Sequence, residues 1–488
     1  MTLLPPAVEP ALLRAIDGLL LPDDPGYDEA CTPWNLAAVQ HPLAVAEPTT
    51  IAEAARIVAA VTAAGHRIAP QASGHGAMPL AERGLEDAVL LRLHRLTGVQ
   101  IDVEHRIARV LGGTLWRDVI DAAAEHGLAA LHGSSPDVSV SGYALGGGLS
   151  FYAREHGLAA HHVRALELIT ATGEVVRVTA DEHPDLFWAL RGGGGSFGAV
   201  VAMEIELLPI ADVHAGFLLW DISAASAVLA AWRDWTRELD RCATTSLRLM
   251  RFPAMPDLPP FLSGRAVVVT DGAILADDQR AAELLAPLRA LAPEMDTFGR
   301  MPAAGLAHVH MDPPVPSPAV GDHVMLGDLD DAALAALISV AGPDAGDAPL
   351  SVELRHLGGA VAEPQDAAVP SLDGDYALFV VDLVPAPELK APASARVGGV
   401  AETVRGWARG APYLNFLDHV ADTGAASVET AERLRRVRAV YDPAGTWVAA
   451  HPLPEMVGED QAMASSSRAL RSSQSGITSA RSAWNSEE

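Results

Sequence analysis

Residues 133–151 read GSSPDVSVSGYALGGGLSF, and residues 185–207 read DLFWALRGGGGSFGAVVAMEIEL. In both, glycines crowd beside polar and aromatic residues and aliphatic runs. Glycine reaches φ > 0 without steric cost and lets a ligand or another backbone come close. The exposed N–H groups of such loops can point at phosphate oxygens. Two further clusters lie upstream, in QASGHGA (71–77) and LGGTLWRDV (111–119). Short β-branched runs flank them: HRIAP, AVLLRL, RIARVLGG, VRALELIT and EVVRVT, each with the length and composition of a strand. No cluster fits GxGxxG followed by a helix and an acidic residue, nor GxxxxGK[ST]. The Rossmann and P-loop readings therefore both fail. Taken alone, glycine clusters mark tight turns more often than phosphate sites.

Outward from these stretches, Thr50–Ala64 has the apolar spacing of one helical face and a glycine stop at Gly65. Residues 1–26 read as a short amphipathic helix followed by a Pro/Asp-rich linker. From about 210 to 411 strand-like runs (GRAVVVTDGAIL, LSVELRHLGG, YALFVVDLV) alternate with alanine-rich helices such as Asp277–Ala290. That texture predicts an antiparallel sheet backed by helices. Residues 412–453 hold APYLNFLDH, a helix AERLRRVRAVYDP and GTWVAAHPL. After Glu455 the chain turns Ser/Arg/Gln-rich with almost no large apolar residues, the composition of a disordered tail.

The 488 residues suit two domains, and 49% hydrophobic with 20% charged residues is a soluble globular composition. Thirty-four basic against sixty-two acidic side chains leave a net charge of −28, which repels nucleic-acid phosphates and anionic lipid. Neither nucleic acid nor membrane is an expected partner. Two cysteines, Cys31 and Cys242, allow at most one bridge and no cysteine-pair zinc site. No stretch approaches the roughly 20 apolar residues of a membrane span. With no basic n-region or long apolar h-region at the start, the expected location is the cytoplasm.

Read together and in order, YDEACTPWN, QASGHGA, LGGTLWRDV, GSSPDVSVSGYALGGGLSF, YAREHGLAAHHV, DLFWALRGGGGSFGAVVAMEIEL and YLNFLDH…YDP resemble one family. It is the berberine bridge enzyme-like FAD-linked oxidases, within the vanillyl-alcohol oxidase/p-cresol methylhydroxylase (PCMH) superfamily. The resemblance runs from about residue 27 to 453. It implies an α+β, two-domain PCMH-type FAD-binding fold. The expected divisions are an FAD-binding domain at 27–210, a substrate-binding domain at 211–411, a segment at 412–455 returning to the FAD domain, and a tail at 456–488.

The resemblance also implies roles. Gln71, Ala72, Ser73, Gly74, His75 and Gly76 form the loop whose backbone holds the FAD pyrophosphate, and His75 is the expected covalent anchor of the flavin. The commoner spelling of that loop is Arg-Ser-Gly-Gly-His, so Gln71 and Ser73 are departures. Many members carry a second link through a cysteine; Ser135 stands there, and a hydroxyl is not the nucleophile a thiolate is. One link, through His75 only, is therefore expected. Val138 falls beside the flavin face that dioxygen attacks, and a valine there goes with oxidases. Gly142, Gly146, Gly147 and Gly148 pass close to the isoalloxazine and ribityl chain, while Gly192 to Gly195 with Val200 and Val201 match the adenine-side wall. Asn415 bonds the cofactor from the returning segment.

The catalytic base is less determined. The family's second tyrosine in Tyr-x-Asn-Tyr is Phe416 here, which cannot accept a proton. Tyr413 is the nearest surviving phenol, with an unperturbed pKa near 10. Tyr143 and Glu353 are further candidates, with Arg355 and His356. Alternation along SVELRHLGG puts Glu353 and Arg355 on one strand face and His356 on the other, or else leaves them on a solvated sheet edge. His308 and His310 in HVHMD are read as a strand without a metal, His161 and His162 as structural. Such a site takes a small-molecule substrate, moves a hydride from an alcohol, amine or aryl-adjacent carbon to flavin N5, and returns the electrons to dioxygen. A flavin dehydrogenase or a cyclase or isomerase, with another or no net acceptor, or a non-catalytic flavin-binding protein, is the alternative.

Overall fold

Seventeen strands form three sheets in the computed structural model, which describes residues 10–256, 258–420 and 427–453. The first sheet joins β1 (Leu19–Leu20), β2 (Ala44–Ala46), β3 (Arg67–Gln71) and β4 (Ala88–Arg92) in the order β1-β2-β4-β3, with β2, β4 and β3 parallel. A parallel pair needs a crossover, and the helix Ile51–Ala63 supplies it between β2 and β3. Thr50 caps that helix by accepting from Glu53 N, while Glu53 Oε2 accepts from Thr49 N at 2.8 Å. Its Ala54, Ile57, Val58 and Val61 face the sheet, as the spacing predicts.

The second sheet is antiparallel: β5 (Val99–Asp102), β6 (Ile107–Leu111), β7 (Val163–Ile169), β8 (Val175–Val178) and β9 (Ala199–Glu206), ordered β5-β6-β9-β7-β8. Three of the four glycine clusters leave or enter strands of these two sheets, and the fourth, 142–148, lies in and after the short helix Val140–Leu145. QASGHGA begins at the end of β3, LGGTLWRDV at the end of β6, and the 192–198 run ends where β9 starts.

The third sheet has β10 (Asp212–Asp221), β11 (Ala243–Arg251), β12 (Ala266–Ile274), β13 (Met295–Asp296), β14 (Gly299–Pro302), β15 (Ala319–Leu326), β16 (Ser351–His356) and β17 (Tyr376–Leu383). The order β13-β10-β12-β11-β16-β17-β15, with β14 also on β10, is antiparallel throughout. Period-two alternation divides its faces. Leu247, Leu249, Val352, Leu354 and Leu378 pack under the helices Ala225–Arg237, Asp331–Ala341 and Lys390–Thr403. Ser246, Arg248, Glu353 and Arg355 share the opposite face, paired across strands as Ser246 with Arg355 and Arg248 with Glu353. An α+β architecture results, with helices segregated to one side of an antiparallel sheet.

The chain then returns. Ile68 N donates to Thr446 O and Val448 N to Ile68 O, both at 2.8 Å, so residues 446–448 run along the outer edge of β3. The sheets and this return lie in one compact unit ending at Pro452. No helix among the described residues is long and apolar enough to cross a membrane.

Three sequence expectations meet differences. The described part of 1–26 has a helix only at Pro10–Arg14, followed by β1. HVHMD is not a strand: Ala303–His308 is a 3-10 turn and the chain leaves it irregularly, because Pro302 and Pro313-Pro314 deny the ladder its N–H groups. The solvated-edge option for SVELRHLGG fails, since β16 lies between β11 and β17 and Glu353 is buried. The expected tail at 456–488 lies outside the described residues.

Candidate flavin site and the polar cavity facing it

Backbone hydrogen bonds draw the glycine clusters together. Trp34 N donates to Ser73 O (3.0 Å) and Asn35 N to Gly74 O (3.3 Å), fastening QASGHGA to the YDEACTPWN segment. Trp116 N donates to Val138 O, Ser141 Oγ to Gly112 O and Gly194 N to Leu145 O, joining the other three. Gly74 sits at φ +82°, and a Cβ there would lie 2.6 Å from Pro33 Cβ. Gly148 likewise has φ +82°, with Tyr143 Cε1 2.5 Å and Ala159 Cβ 2.7 Å from where its Cβ would be. Only glycine suits either position.

His75 lies in a tight setting. Its ring stacks on Trp34 at 3.9 Å between centroids and 17° between planes. Its Nε2 is buried without an aligned hydrogen bond and stands 3.3 Å from Asp137 Oδ1. Asp137 also accepts from Trp34 Nε1 at 2.6 Å and from Ser135 Oγ at 2.7 Å. Burial alone would raise its pKa, but the adjacent His75 imidazole and the hydrogen bonds from Ser135 and Trp34 outweigh that and hold it at about 2. Asp137 is a site residue the sequence reading passed over; its place in GSSPDV, next to Ser135 and Val138, was the available signal.

The returning segment closes the other end. Tyr413 Oη accepts from Gly148 N at 3.0 Å and from Asn415 Nδ2 at 2.9 Å, and Asn415 Nδ2 also reaches Tyr143 O at 2.9 Å. Gly146 is tight against the Asn415 carboxamide. Burial pushes the Tyr413 phenol up to about 12, against the hydrogen bonds from Asn415 and the 148–149 backbone. Burial pushes Tyr143 well above 10 as well, and its hydroxyl has no partner among the described residues. Both phenols are thus held protonated, which counts against their expected role as bases. Phe416 stacks on Phe379 at 4.5 Å and beneath the Arg355 guanidinium at 4.9 Å.

A polar cavity separates this site from the third sheet. Ser134, Leu149, Ser150 and Phe151 line one wall, and Ser246, His310, Glu353 and Arg355 the other. Arg355 spans the gap, donating to Ser134 Oγ at 3.2 Å and to Glu353 Oε1 at 2.7 Å. Burial would raise Glu353, yet Arg355 and His310 hold it far below the usual carboxylate range. Behind the pair, Asp271 is fully buried and accepts from Ser246 Oγ (2.6 Å), Arg248 Nη2 (2.7 Å) and His310 Nδ1 (2.8 Å). Burial and Arg248 push His310 down, but the carboxylates of Asp271, Asp312 and Glu353 outweigh them and raise it to about 9. His310, read from sequence only as a strand histidine without a metal, is a charged member of this network.

The remaining candidates separate. Val200 and Val201 are buried in β9, Val201 accepting from Gly112 N at 2.9 Å. A Cβ on Gly76 or Gly195 would meet nothing within 4 Å. His356 also borders the cavity, with its ring packed near Trp232 and Tyr376. His161 bonds Val369 O, and His162 sits between Glu206 and His156 O. Cys31 and Cys242 are free thiols. Among the described residues no His, Cys, Asp or Glu cluster has the makings of a metal site.

Comparison with known proteins follows the same outline. Residues 42–179 match the family model described as an FAD binding domain. The fold superposes on a berberine bridge enzyme-like protein of the moss Physcomitrella patens with a TM-score of 0.77 and 19% identity, covering 91% of this chain and 98% of that one. Berberine bridge enzyme itself superposes at 0.75 with 18% identity, over 91% and 98%. The chain carries an FAD binding domain and has the fold of the berberine bridge enzyme-like flavoproteins. Among curated relatives, (R)-6-hydroxynicotine oxidase of Paenarthrobacter nicotinovorans is 32% identical over 224 residues, 45% of this chain and 48% of that protein. The chain therefore spans about half the length of the curated relative it matches.

The residues present fit FAD. Both polar atoms of the Gln71 side chain and the Tyr143 hydroxyl are buried without a hydrogen-bond partner among the described residues, and they flank the glycine loops. Buried polar atoms seldom stay unpaired, and a dinucleotide offers them partners.

Proposed function

We propose that the chain is an FAD-dependent oxidase acting on a small organic substrate with an oxidisable alcohol, amine or aryl-adjacent carbon. Residues 27–210 with the 412–455 return hold the cofactor, and 211–411 hold the substrate. When bound, FAD supplies a two-electron acceptor whose electrons pass on to dioxygen, giving hydrogen peroxide in the cytoplasm. His75 is its single covalent anchor, Ser135 offering no second nucleophile. The backbone of 71–76, Gly142 and Gly146–Gly148 cradle it, Val138 flanks its oxygen-reactive face, Gly195, Val200 and Val201 wall the adenine, and Asn415 closes the site.

The observation that carries this reading is the Glu353–Arg355 pair, buried and ionised on the sheet face opposite the glycine loops. Glu353 is a proton acceptor already in its basic form, whereas Tyr413 and Tyr143 are held as neutral phenols. It takes the hydroxyl or ammonium proton as the substrate is oxidised, and Arg355 keeps its carboxylate oriented. The relative named (R)-6-hydroxynicotine oxidase, matched over 224 residues, supports oxidase chemistry.

The test denatures the purified protein in acid and follows the yellow colour, with peroxide release measured on a panel of alcohols and amines. Colour in the pellet, lost in His75→Ala, supports the covalent link. Turnover lowered about 10²–10⁴-fold in Glu353→Gln supports the proton acceptor. Colour in the supernatant removes the covalent link; a protein that never takes up FAD removes the whole reading.

A further inference from the structure

We propose that Asp137 is the positioning residue that sets the tautomer of His75 for its covalent attachment to the flavin, an inference that rests on the histidyl link proposed above. Which imidazole nitrogen carries the proton is decided by the hydrogen bond the ring makes. Asp137 Oδ1 stands 3.3 Å from Nε2, where its negative charge favours the proton on that nitrogen and leaves the lone pair on Nδ1. A carboxylate so placed also stabilises the positive charge that develops when the other nitrogen attacks.

The surroundings keep the carboxylate charged and the ring still. Asp137 is 5% exposed, and its oxygens are held by Trp34 Nε1 and Ser135 Oγ. Trp34 thus grips both members of the pair, stacking on the imidazole with its ring and fixing the carboxylate with its N–H. Pro33 against Gly74 and the Trp34 N to Ser73 O bond fasten the loop behind them.

In the attachment step the Nδ1 lone pair forms an N–C bond to the flavin 8α carbon. That methyl group gives up one proton, and the Nε2 proton leaves through Asp137. Two electrons remain on the ring system, and dioxygen removes them with the two protons as hydrogen peroxide. The product is heavier than the apoprotein by FAD less two hydrogens.

The experiment compares the full-length wild-type protein with Asp137→Asn, Asp137→Ser and His75→Ala, each incubated with FAD in air. Intact mass follows the covalent adduct over time, and flavin fluorescence reports reversible FAD binding. Wild type should gain the adduct and His75→Ala should not. Both Asp137 variants should bind FAD reversibly yet acquire the adduct at least about tenfold more slowly. Asp137→Ser is smaller than Asp137→Asn, so if either fails to bind FAD the other is read by the same criterion. Adduct formation at the wild-type rate in a variant that binds FAD would overturn the role of Asp137 and leave the link standing. A wild-type protein that binds FAD but never gains the mass would overturn the link and this inference with it.

Discussion

Replacing His310 by glutamine should remove a pH dependence of stability that the wild-type protein has on the alkaline side. His310 is buried, and three carboxylates raise it from 6.5 to about 9. A raised folded pKa means that the native state holds a proton the unfolded chain releases. The stabilisation is therefore complete below about pH 6.5 and is lost as pH rises through about 9. A separation of about 2.5 at 1.36 kcal/mol each corresponds to about 3 kcal/mol. Unfolding entropy of roughly 2 cal/mol/K per residue gives a unit of this size about 1 kcal/mol per °C, so Tm should fall about 3 °C across that window. Burial raises the thiols of Cys31 and Cys242 as well, and their ionisation in the unfolded chain lowers stability at the upper end. Those contributions are shared by wild type and variant, so the difference between their two Tm-versus-pH curves isolates His310. The assay is thermal unfolding by circular dichroism from about pH 6 to about 9.5, at one ionic strength and scan rate. Glutamine can still donate to Asp271 and cannot titrate. A His310→Gln protein that loses the same Tm as wild type over this range would refute a charged His310.

Gly148→Ala places a methyl 2.5 Å from Tyr143 Cε1 at φ +82°; it should cost about 2 kcal/mol and weaken FAD retention on gel filtration. Tyr413→Phe leaves Gly148 N buried without its acceptor, at a cost of about 1–3 kcal/mol, read by denaturant midpoint. Because the phenol is held protonated, kcat should change far less than in Glu353→Gln, and an equal loss in both variants would return Tyr413 to the role of base. Asp271→Asn strands Arg248 and His310 without their shared carboxylate, and a loss of about 3–5 kcal/mol is expected from the same unfolding assay.

Most of the fold was legible because its signals are local. The spacing in Thr50–Ala64 specified a helical face, and the β-branched runs gave β3, β4, β6, β7, β8 and β9 but not the short β1, β2 and β5. The alternation in SVELRHLGG put Glu353 and Arg355 on one face, as found. The site was less legible, because its decisive contacts join distant positions. Nothing local in GSSPDV places Asp137 against His75, sixty-two positions upstream. Nothing in HVHMD reveals that His310 will meet Asp271 and Glu353. Whether β16 is an edge or an interior strand is a matter of topology, to which two-residue periodicity is blind.

Residues 446–448 along β3 also set an order of events during synthesis. The edge they cover belongs to the strand that leads into His75, and Tyr413 and Asn415 complete the wall around Gly146–Gly148. A ribosome that has finished residue 210 has made every strand of the first two sheets, but not this closure. At 5–20 residues per second the missing stretch takes roughly 10 to 50 s to arrive. Throughout that interval the nascent chain presents an unpaired parallel edge and a half-built cradle, a state suited to chaperone capture. Completion of the cradle is in consequence a late event, waiting on the arrival of residues 413–448.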